Sequence, residues 1–183
     1  MTGSAQCPLL FLDVDGPLIP FGAPPDQYPT HPVAPELAGA DANPLLARVD
    51  PAHGARLAAL RCELVWATTW MAEANECIAP LIGLPQLAVV DWPEPSDDNQ
   101  AQDERDGLHW KTRALVARAA GRPFAWVDDE ISEADRAWVA THHRGRALLH
   151  RVDPRVGLTD GDYAVLDSWL RQAGSGAGGD ATG

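Results

Sequence analysis

The chain has 183 residues, the length of one domain of ordinary size, and it is 45% apolar and 22% charged. These values exclude a disordered or fibrous protein. The net charge of −12 disfavours the broad electrostatic attraction to phosphate backbones on which non-specific nucleic-acid binding depends.

Five short apolar runs alternate with segments of helical periodicity, which is typical of a parallel α/β sheet. Four of the runs are almost entirely apolar, as expected for strands that helices cover on both faces. We therefore predict a three-layer, Rossmann-like α/β domain with a five-stranded, mostly parallel sheet. The predicted strands are Pro8–Asp13, Glu63–Thr68, Gln86–Val90, Phe124–Asp128 and Arg146–His150.

Helices are predicted between these strands and after the last one. Their starts are marked by caps, prolines or acidic first turns. A single domain is predicted over 1–173, and a flexible glycine-rich tail over 174–183. The predicted helices begin after Asp50-Pro51, at Met71, at His109, at Ser132 and at about Gly161.

Two stretches of the chain fit neither strands nor helices. Residues 16–43 are rich in proline and are predicted to form an irregular excursion from the first strand. Asp91–Asp106 holds seven acids against one arginine, and such a run is usually a solvated loop.

The cysteine content and the apolar runs also predict the cellular compartment. The three cysteines are too few for a disulfide scaffold, and they favour a reducing compartment. No basic residue precedes the first apolar run, and no window of about 18 apolar residues is present. We expect a cytoplasmic protein with no signal peptide and no membrane span.

Two aspartates follow the first predicted strand. Because successive strand side chains point to opposite faces, Asp13 and Asp15 share a side, and Gly16 allows a sharp turn after them. Ligands of open α/β sheets bind at the carboxyl ends of the strands. A DxD alone is more often a loop, but an apolar strand before it and a glycine after it favour a functional site.

Further polar residues follow the second and fourth predicted strands. Thr68 and Thr69 end the second strand, where hydroxyls are often only helix caps. Asp128-Asp129-Glu130 ends the fourth strand, and three consecutive acids favour a hard cation such as Mg²⁺. The alternative is a solvated acidic loop that caps the helix at Ser132. Lys111 lies at the start of the preceding helix, where the helix dipole disfavours a cation. This placement therefore suggests a functional role for Lys111.

Together, these elements resemble the motifs of the haloacid dehalogenase (HAD) superfamily. Asp13-Val14-Asp15-Gly16 is similar to the first motif, Thr68 to the second, Lys111 to the third and Asp128-Asp129 to the fourth. The resemblance covers about Leu9 to His150, and the joint order is far more specific than any single motif. A response-regulator receiver would carry its essential aspartate on the third strand and its lysine after the strand that ends in threonine, and this chain has neither arrangement.

The resemblance implies an Mg²⁺-dependent phosphatase that forms an aspartyl-phosphate. Asp13 would attack phosphorus, and Asp15 would protonate the leaving oxygen and then activate water. Thr68 and Lys111 would bind the phosphoryl group. The implied metal ligands are Asp13, the backbone carbonyl of Asp15, and one or both of Asp128 and Asp129. The second acid, Asp15, argues against the dehalogenase branch.

The intervals between the motifs indicate that no cap domain covers the site. They span 55 positions from Asp13 to Thr68 and 43 from Thr68 to Lys111. The proline-rich segment 16–43, which we call the flap, the predicted helices, a strand and the acidic stretch already fill these intervals. The resemblance is therefore to the capless branch, whose members often act on macromolecules. Pro17, where many members carry Thr or Val, is predicted to stiffen the flap.

Within that branch, the sequence is similar to the HAD domains associated with RNA repair proteins. The similarity rests on Thr68-Thr69-Trp70, Asp128-Asp129-Glu130, Gly157-Leu158-Thr159 and Trp169-Leu170. It implies a phosphorylated substrate, such as a nucleotide or a nucleic-acid end, with Gly16, Thr69 and Trp70 as substrate-binding residues. A tryptophan beside the motifs could stack a base, although tryptophans more often pack. A phosphotransferase and a non-catalytic binding module of the same fold remain the alternatives.

Overall fold

One parallel sheet of five strands lies at the centre of the described chain. The computed structural model describes residues 7–33, 43–94 and 96–175. The strands lie in the spatial order β3-β2-β1-β4-β5, and all four pairings are parallel. The prediction of a five-stranded α/β sheet is confirmed. The strands are β1 (Leu9–Leu12), β2 (Glu63–Trp66), β3 (Ala88–Val89), β4 (Phe124–Asp128) and β5 (Ala147–Arg151).

Helices cover both faces of the sheet. Within the described ranges they are α1 (Ala52–Ala59), α2 (Ala79–Ile82), α3 (Asp97–Asp106), α4 (Thr112–Ala119), α5 (Glu133–His142) and α6 (Asp160–Ser175). A π-helical segment, Ala74–Ile78, leads into α2, and short 3₁₀ turns lie at Pro25–Gln27 and Pro44–Arg48. No helix in these ranges has the length and apolarity needed to cross a bilayer.

The four residues of β1 show how the sheet lies between two layers of helices. All four are fully buried, and their side chains alternate between two separate cores. Leu10 and Leu12 belong to the core that contains residues of α1, α2 and α6, whereas Leu9 and Phe11 belong to the core that contains residues of α4 and α5. Each buried side chain of this size contributes about 1.5–3 kcal/mol. The strand before the two aspartates is thus held firmly from both sides.

The segment after β2 differs from the predicted helix Met71–Ile82. Met71 has a left-handed backbone with φ of 51°, which a regular α-helix does not tolerate. Helical structure therefore begins at Ala74 and passes through the π-helical segment before α2. The end at Gly83 is as predicted, since Gly83 has φ of 71° and terminates α2.

The prediction of a solvated loop at Asp91–Asp106 is wrong in its second half, where α3 forms. Two of its acids, Asp103 and Asp106, form ion pairs with Arg113 of α4. Gln102 adds a hydrogen bond one turn along, to Asp106. A helix can therefore form in so acidic a segment because a neighbouring helix supplies the opposite charge.

The C-terminal helix is longer than its sequence pattern indicates. α6 continues to Ser175, so the first two residues of the predicted tail are helical. Residues 176–183 lie outside the described part of the chain, as do residues 34–42 of the proline-rich segment.

The segment that follows β1 is bonded to the β5–α6 connection. The amide of Leu158 donates to the carbonyl of Pro17 at 2.9 Å, and the amide of Phe21 donates to the carbonyl of Pro154 at 2.7 Å. At Gly157, φ is 76° and an added Cβ would lie 3.0 Å from the carbonyl oxygen of Pro17. The connection therefore supports the loop that carries the two aspartates.

Candidate active site

The predicted motif residues meet at the carboxyl ends of the central strands. Asp13 directly follows β1, Asp128 ends β4, and Thr68 lies two residues beyond β2. The ladder continues past β1, because the amide of Asp13 donates to the carbonyl of Val127 at 3.0 Å. Lys111 reaches the same edge from the start of α4. Four chain segments thus place their polar side chains at one edge of the sheet.

A buried lysine joins two of the aspartates. The Nζ atom of Lys111 lies 2.8 Å from Oδ2 of Asp13 and 2.8 Å from Oδ2 of Asp128. Lys111 is 3% exposed, Asp13 7% and Asp128 0%. One ammonium therefore faces two carboxylates with little water to screen them, which leaves a net negative charge that favours a further cation.

The protonation of this group follows from its burial. Burial raises the pKa of Asp13 to about 7; the charge of Lys111 opposes this shift and the charge of Asp128 adds to it. Burial lowers the pKa of Lys111, but the charges of Asp13 and Asp128 outweigh it, so the net direction is upward. Lys111 is thus a permanent cation, whereas Asp13 titrates near neutrality unless additional positive charge is bound.

Asp128 is held by donors on both carboxylate oxygens. Oδ2 also accepts a hydrogen bond from Nε1 of Trp126 at 3.2 Å, and Oδ1 accepts one from the amide of Glu130 at 2.9 Å. These bonds fix the carboxylate toward Lys111. Asp128 is therefore suited to orient the lysine.

Asp129 stands in a different environment, although it is the next residue. It is half-buried, and burial together with the charge of Asp128 raises its pKa. Its side chain packs against Gly16, where φ is 92° and an added Cβ would lie 2.8 Å from Oδ1 of Asp129. The glycine of the first motif thus leaves the space that the second acid of the fourth motif occupies.

The oxygen atoms at this edge fit a divalent cation. Asp13, Asp128 and Asp129 each offer one carboxylate oxygen, and these atoms all lie within 4.8 Å of one another. Oxygen ligands from carboxylates are those that Mg²⁺ prefers. Together with the uncompensated charge around Lys111, this donor set fits Mg²⁺. The side chain of Asp15, a predicted ligand through its backbone carbonyl, is not part of this carboxylate group.

The side chain of Asp15 is held by a tryptophan that sequence reasoning assigned to the substrate. Nε1 of Trp70 donates to Oδ2 of Asp15 at 3.0 Å, and both residues are half-buried. The amide of Trp70 in turn donates to Oγ1 of Thr68 at 3.3 Å. The turn after β2 therefore orients the proposed acid–base residue. Thr69 between them is exposed.

The fully buried Asp135 is a further residue of importance that sequence reasoning placed only in a helical first turn. Its oxygens accept hydrogen bonds from the amide of His109 at 2.8 Å, from the hydroxyl of Thr112 at 2.6 Å, and from the amide and hydroxyl of Ser132 at 2.8 and 2.7 Å. Ser132 and Asp135 form the capping box of α5. The bonds to His109 and Thr112 fix the start of α4 on either side of Lys111.

Asp135→Ala is expected to lower the free energy of unfolding by about 3 kcal/mol, because four donors lose a buried anionic acceptor. Burial raises the pKa of Asp135, but the hydrogen bonds from Thr112, Ser132 and His109 outweigh it and hold the pKa below its usual range. The stabilisation is therefore complete above the unfolded pKa of about 3.9, and it is lost as the pH falls through the folded pKa.

Urea unfolding at several pH values measures this effect, with Glu133→Ala as the matched control because Glu133 lies on the same helix with an exposed side chain. Equal stability of the two variants at pH 7 would contradict the structural role of Asp135.

The fold and the site together define a HAD-type domain: a parallel sheet whose first strand is followed directly by Asp-x-Asp, with a lysine that joins the first and fourth motifs. Comparison with known protein families agrees with this assignment. The chain belongs to the family described as the HAD domain in Swiss Army Knife RNA repair proteins, whose family model matches residues 9–163.

A solved structure has the same fold. The HAD domain of effector protein Lem4 from Legionella pneumophila is 12% identical to this chain, with a TM-score of 0.50. The match covers 94% of this chain and 97% of that domain. At this identity the similarity shows the fold alone, and it supports the three-layer α/β architecture.

Proposed function

We propose that this protein is a Mg²⁺-dependent phosphomonoesterase that works through a phosphorylated Asp13. The observation that carries the proposal is the buried bridge of Lys111 between Asp13 and Asp128, 2.8 Å from each. A protein gains little stability from burying one ammonium between two carboxylates. The same arrangement is well suited to a dianionic phosphoryl group, whose charge Lys111 would also neutralise.

The residues divide the reaction between them. Asp13 is the nucleophile; its Oδ1 accepts the amide of Val14 at 2.8 Å and its Oδ2 accepts from Lys111, so the carboxylate is oriented before the substrate arrives. Asp15, held by Trp70, gives a proton to the leaving oxygen and later takes one from water. Thr68 and Lys111 bind the phosphoryl oxygens.

Mg²⁺ would be held by Asp13 and Asp129, with Asp128 contributing from its place beside Lys111. When bound, the ion supplies positive charge that allows a dianionic phosphate to approach several carboxylates. The separate surroundings of the two neighbouring acids support this division: Asp128 holds Lys111, and Asp129 lies against Gly16 with its charge less engaged.

The substrate is proposed to be a phosphorylated molecule that can reach a site without a cap. In the described residues, the interval between Thr68 and Lys111 holds only the π-helical segment, α2, β3 and α3. The name of the family supports a nucleotide or a nucleic-acid end as one class of substrate. The location of the protein in the cytoplasm is likewise a proposal.

Release of inorganic phosphate from a small aryl phosphate, with and without Mg²⁺, tests the proposed function. Acid-quenched protein should carry one phosphoryl group on the peptide that contains Asp13, as found by mass spectrometry. A phosphorylated peptide that releases no inorganic phosphate, and whose phosphoryl group moves to an added alcohol to form its phosphate ester, would indicate a phosphotransferase. If aryl phosphates, nucleotides and phosphorylated oligonucleotides all give no phosphorylated peptide and no phosphate release, the protein is a binding module.

Mg²⁺ is expected to raise the melting temperature, because the ion binds the folded state and relieves the repulsion between carboxylates. The increase should be larger at pH 8 than at pH 6. Since burial raises the pKa of Asp13 to about 7, the metal must displace a proton at the lower pH, which weakens its binding by up to about tenfold per pH unit.

Thermal scans of Asp129→Asn and of the control Glu133→Gln check the site of this effect. The shift should be lost in the first variant and kept in the second. A full shift in Asp129→Asn, or in the double variant Asp128→Ala with Asp129→Ala, would place the metal elsewhere.

A further inference from the structure

A large cavity with aromatic walls and an acidic rim lies beside the site. Its volume is about 740 Å³, and we call it the aromatic-acidic cavity. The residues that determine its chemistry are Trp92, Trp110, His109, Glu94, Glu104 and Glu130. Trp110 is 46% exposed although it is a large aromatic residue. The functional roles described above do not use this cavity.

Three walls of the aromatic-acidic cavity are joined to three different motif residues. Nε1 of Trp92 donates to the carbonyl of Thr68 at 3.1 Å, and the amide of Glu130 donates to Oδ1 of Asp128. Nζ of Lys111 lies 5.6 Å from the centre of the Trp110 ring. A phosphoryl group bound to Lys111 would therefore lie near these walls, so that the leaving group of the ester could extend toward the cavity.

The charge of the cavity disfavours a second phosphate. Its described lining residues include four acids and no lysine or arginine. Asp103 is paired with Arg113, and Glu130 contacts His109 with 3.0 Å between Oε2 and Nε2. Glu94 and Glu104 are exposed at the rim. The nearby potential is thus negative, and it repels a polyanion while it attracts a cation.

The arrangement of the aromatic rings favours a compact cation over a flat base. The rings of Trp92 and Trp110 meet edge to face, with 4.8 Å between centroids and 70° between planes. Such a corner has no parallel slot between the two rings into which a base could slide. Trp110 remains 46% exposed among carboxylates of this cavity, and an exposed aromatic ring beside negative charge is an environment in which alkylammonium groups bind.

We propose that the aromatic-acidic cavity binds an organic cation carried on the leaving group of the phosphate ester. The proposal that this cation is part of a substrate rests on the proposed function, whereas binding of the cation itself does not. The substrate class is then an ammonium-bearing phosphomonoester, and the cavity selects it by cation–π contact with Trp110 and by the charges of Glu94 and Glu104.

The first test uses choline, which carries no phosphate. Its binding is followed through the indole N–H signals of the ¹⁵N-labelled protein. The comparison ligand is the neutral alcohol in which a tert-butyl group replaces the trimethylammonium group. We expect choline to shift the signals of Trp92 and Trp110, assigned with Trp92→Phe and Trp110→Phe, and to bind at least about tenfold more tightly than the alcohol. Equal affinities, or no shift with either ligand, would overturn the proposal.

Charge variants separate electrostatic selection from simple apolar contact. Glu94→Gln with Glu104→Gln should weaken choline binding at least about threefold and leave the alcohol unaffected, and Glu133→Gln should change neither. Unchanged choline affinity in the double variant would show that the rim does not select the cation.

The second test measures kcat/KM for phosphocholine against the phosphate ester of the same neutral alcohol. A preference of about tenfold for phosphocholine, reduced in the double Gln variant, is expected. Absence of phosphate release from any ester, with choline binding intact, would refute the proposed function alone. Equal kcat/KM for the two esters, or a phosphorylated oligonucleotide preferred over both, would instead overturn the proposed substrate class.

Discussion

Asp13→Asn is expected to reduce phosphate release by at least about a thousandfold, which corresponds to about 4 kcal/mol on the activation barrier. The amide lacks the negative charge with which Asp13 would attack phosphorus, and an amide oxygen is a far weaker nucleophile than a carboxylate. The fold should persist, because Lys111 keeps its ion pair with Asp128 at 2.8 Å and the side chain keeps its size.

Circular dichroism, the melting temperature and turnover of an aryl phosphate are measured together for this variant. Asp167→Asn is a suitable control, since Asp167 pairs with Arg171 on the surface of α6. Turnover within about tenfold of the unmodified protein, an effect of only about 1.4 kcal/mol, would refute a covalent role for Asp13. A loss of activity with a large fall in melting temperature would show that the substitution acts through the fold.

Lys111→Met should be the most destabilising change at the site, with a loss of about 3–5 kcal/mol in the free energy of unfolding at pH 8. Removal of the ammonium leaves Asp13 and Asp128 buried together without a compensating charge. Because burial raises the pKa of Asp13, the carboxyl takes up a proton as the pH falls, and the loss should be smaller at pH 6.

The double variant Lys111→Met with Asp128→Asn distinguishes charge from packing. If repulsion between the carboxylates is the cause, the second substitution restores much of the stability in urea unfolding and none of the phosphate release. A double variant as unstable as Lys111→Met would mean that the lysine chain matters for packing. Full activity of either variant would contradict the role of Lys111 in phosphoryl binding.

The sequence predicted those parts of the site that depend on short, continuous motifs. An apolar run followed by Asp13 or by Asp128 predicts both a buried strand and the edge at which its last side chain lies. The order of the motifs then predicts that Lys111 meets them. The structure places Lys111 between those two aspartates, at a distance that the pattern alone does not contain.

The parts that could not be predicted depend on pairs distant in the chain. The hydrogen bond from Trp70 to Asp15 spans 55 residues, and nothing local to either residue signals it. α3 has a strongly acidic composition that favours a loop, and its pairing with Arg113 overrides that preference. The several donors to Asp135 arise only when the starts of α4 and α5 come together.

The central place of β1 has a consequence for synthesis of the chain. β1 is made first, but its partners are β2 and β4, and β4 begins at residue 124. Until the ribosome has released β4, one edge of an entirely apolar strand has no hydrogen-bonding partner within the sheet. Unpaired apolar edges recruit other chains, and chains emerge at about 5–20 residues per second. β1 therefore keeps an unpaired apolar edge throughout the interval between β2 and β4, and for that whole interval the loop that carries Asp13 and Asp15 lacks Asp128.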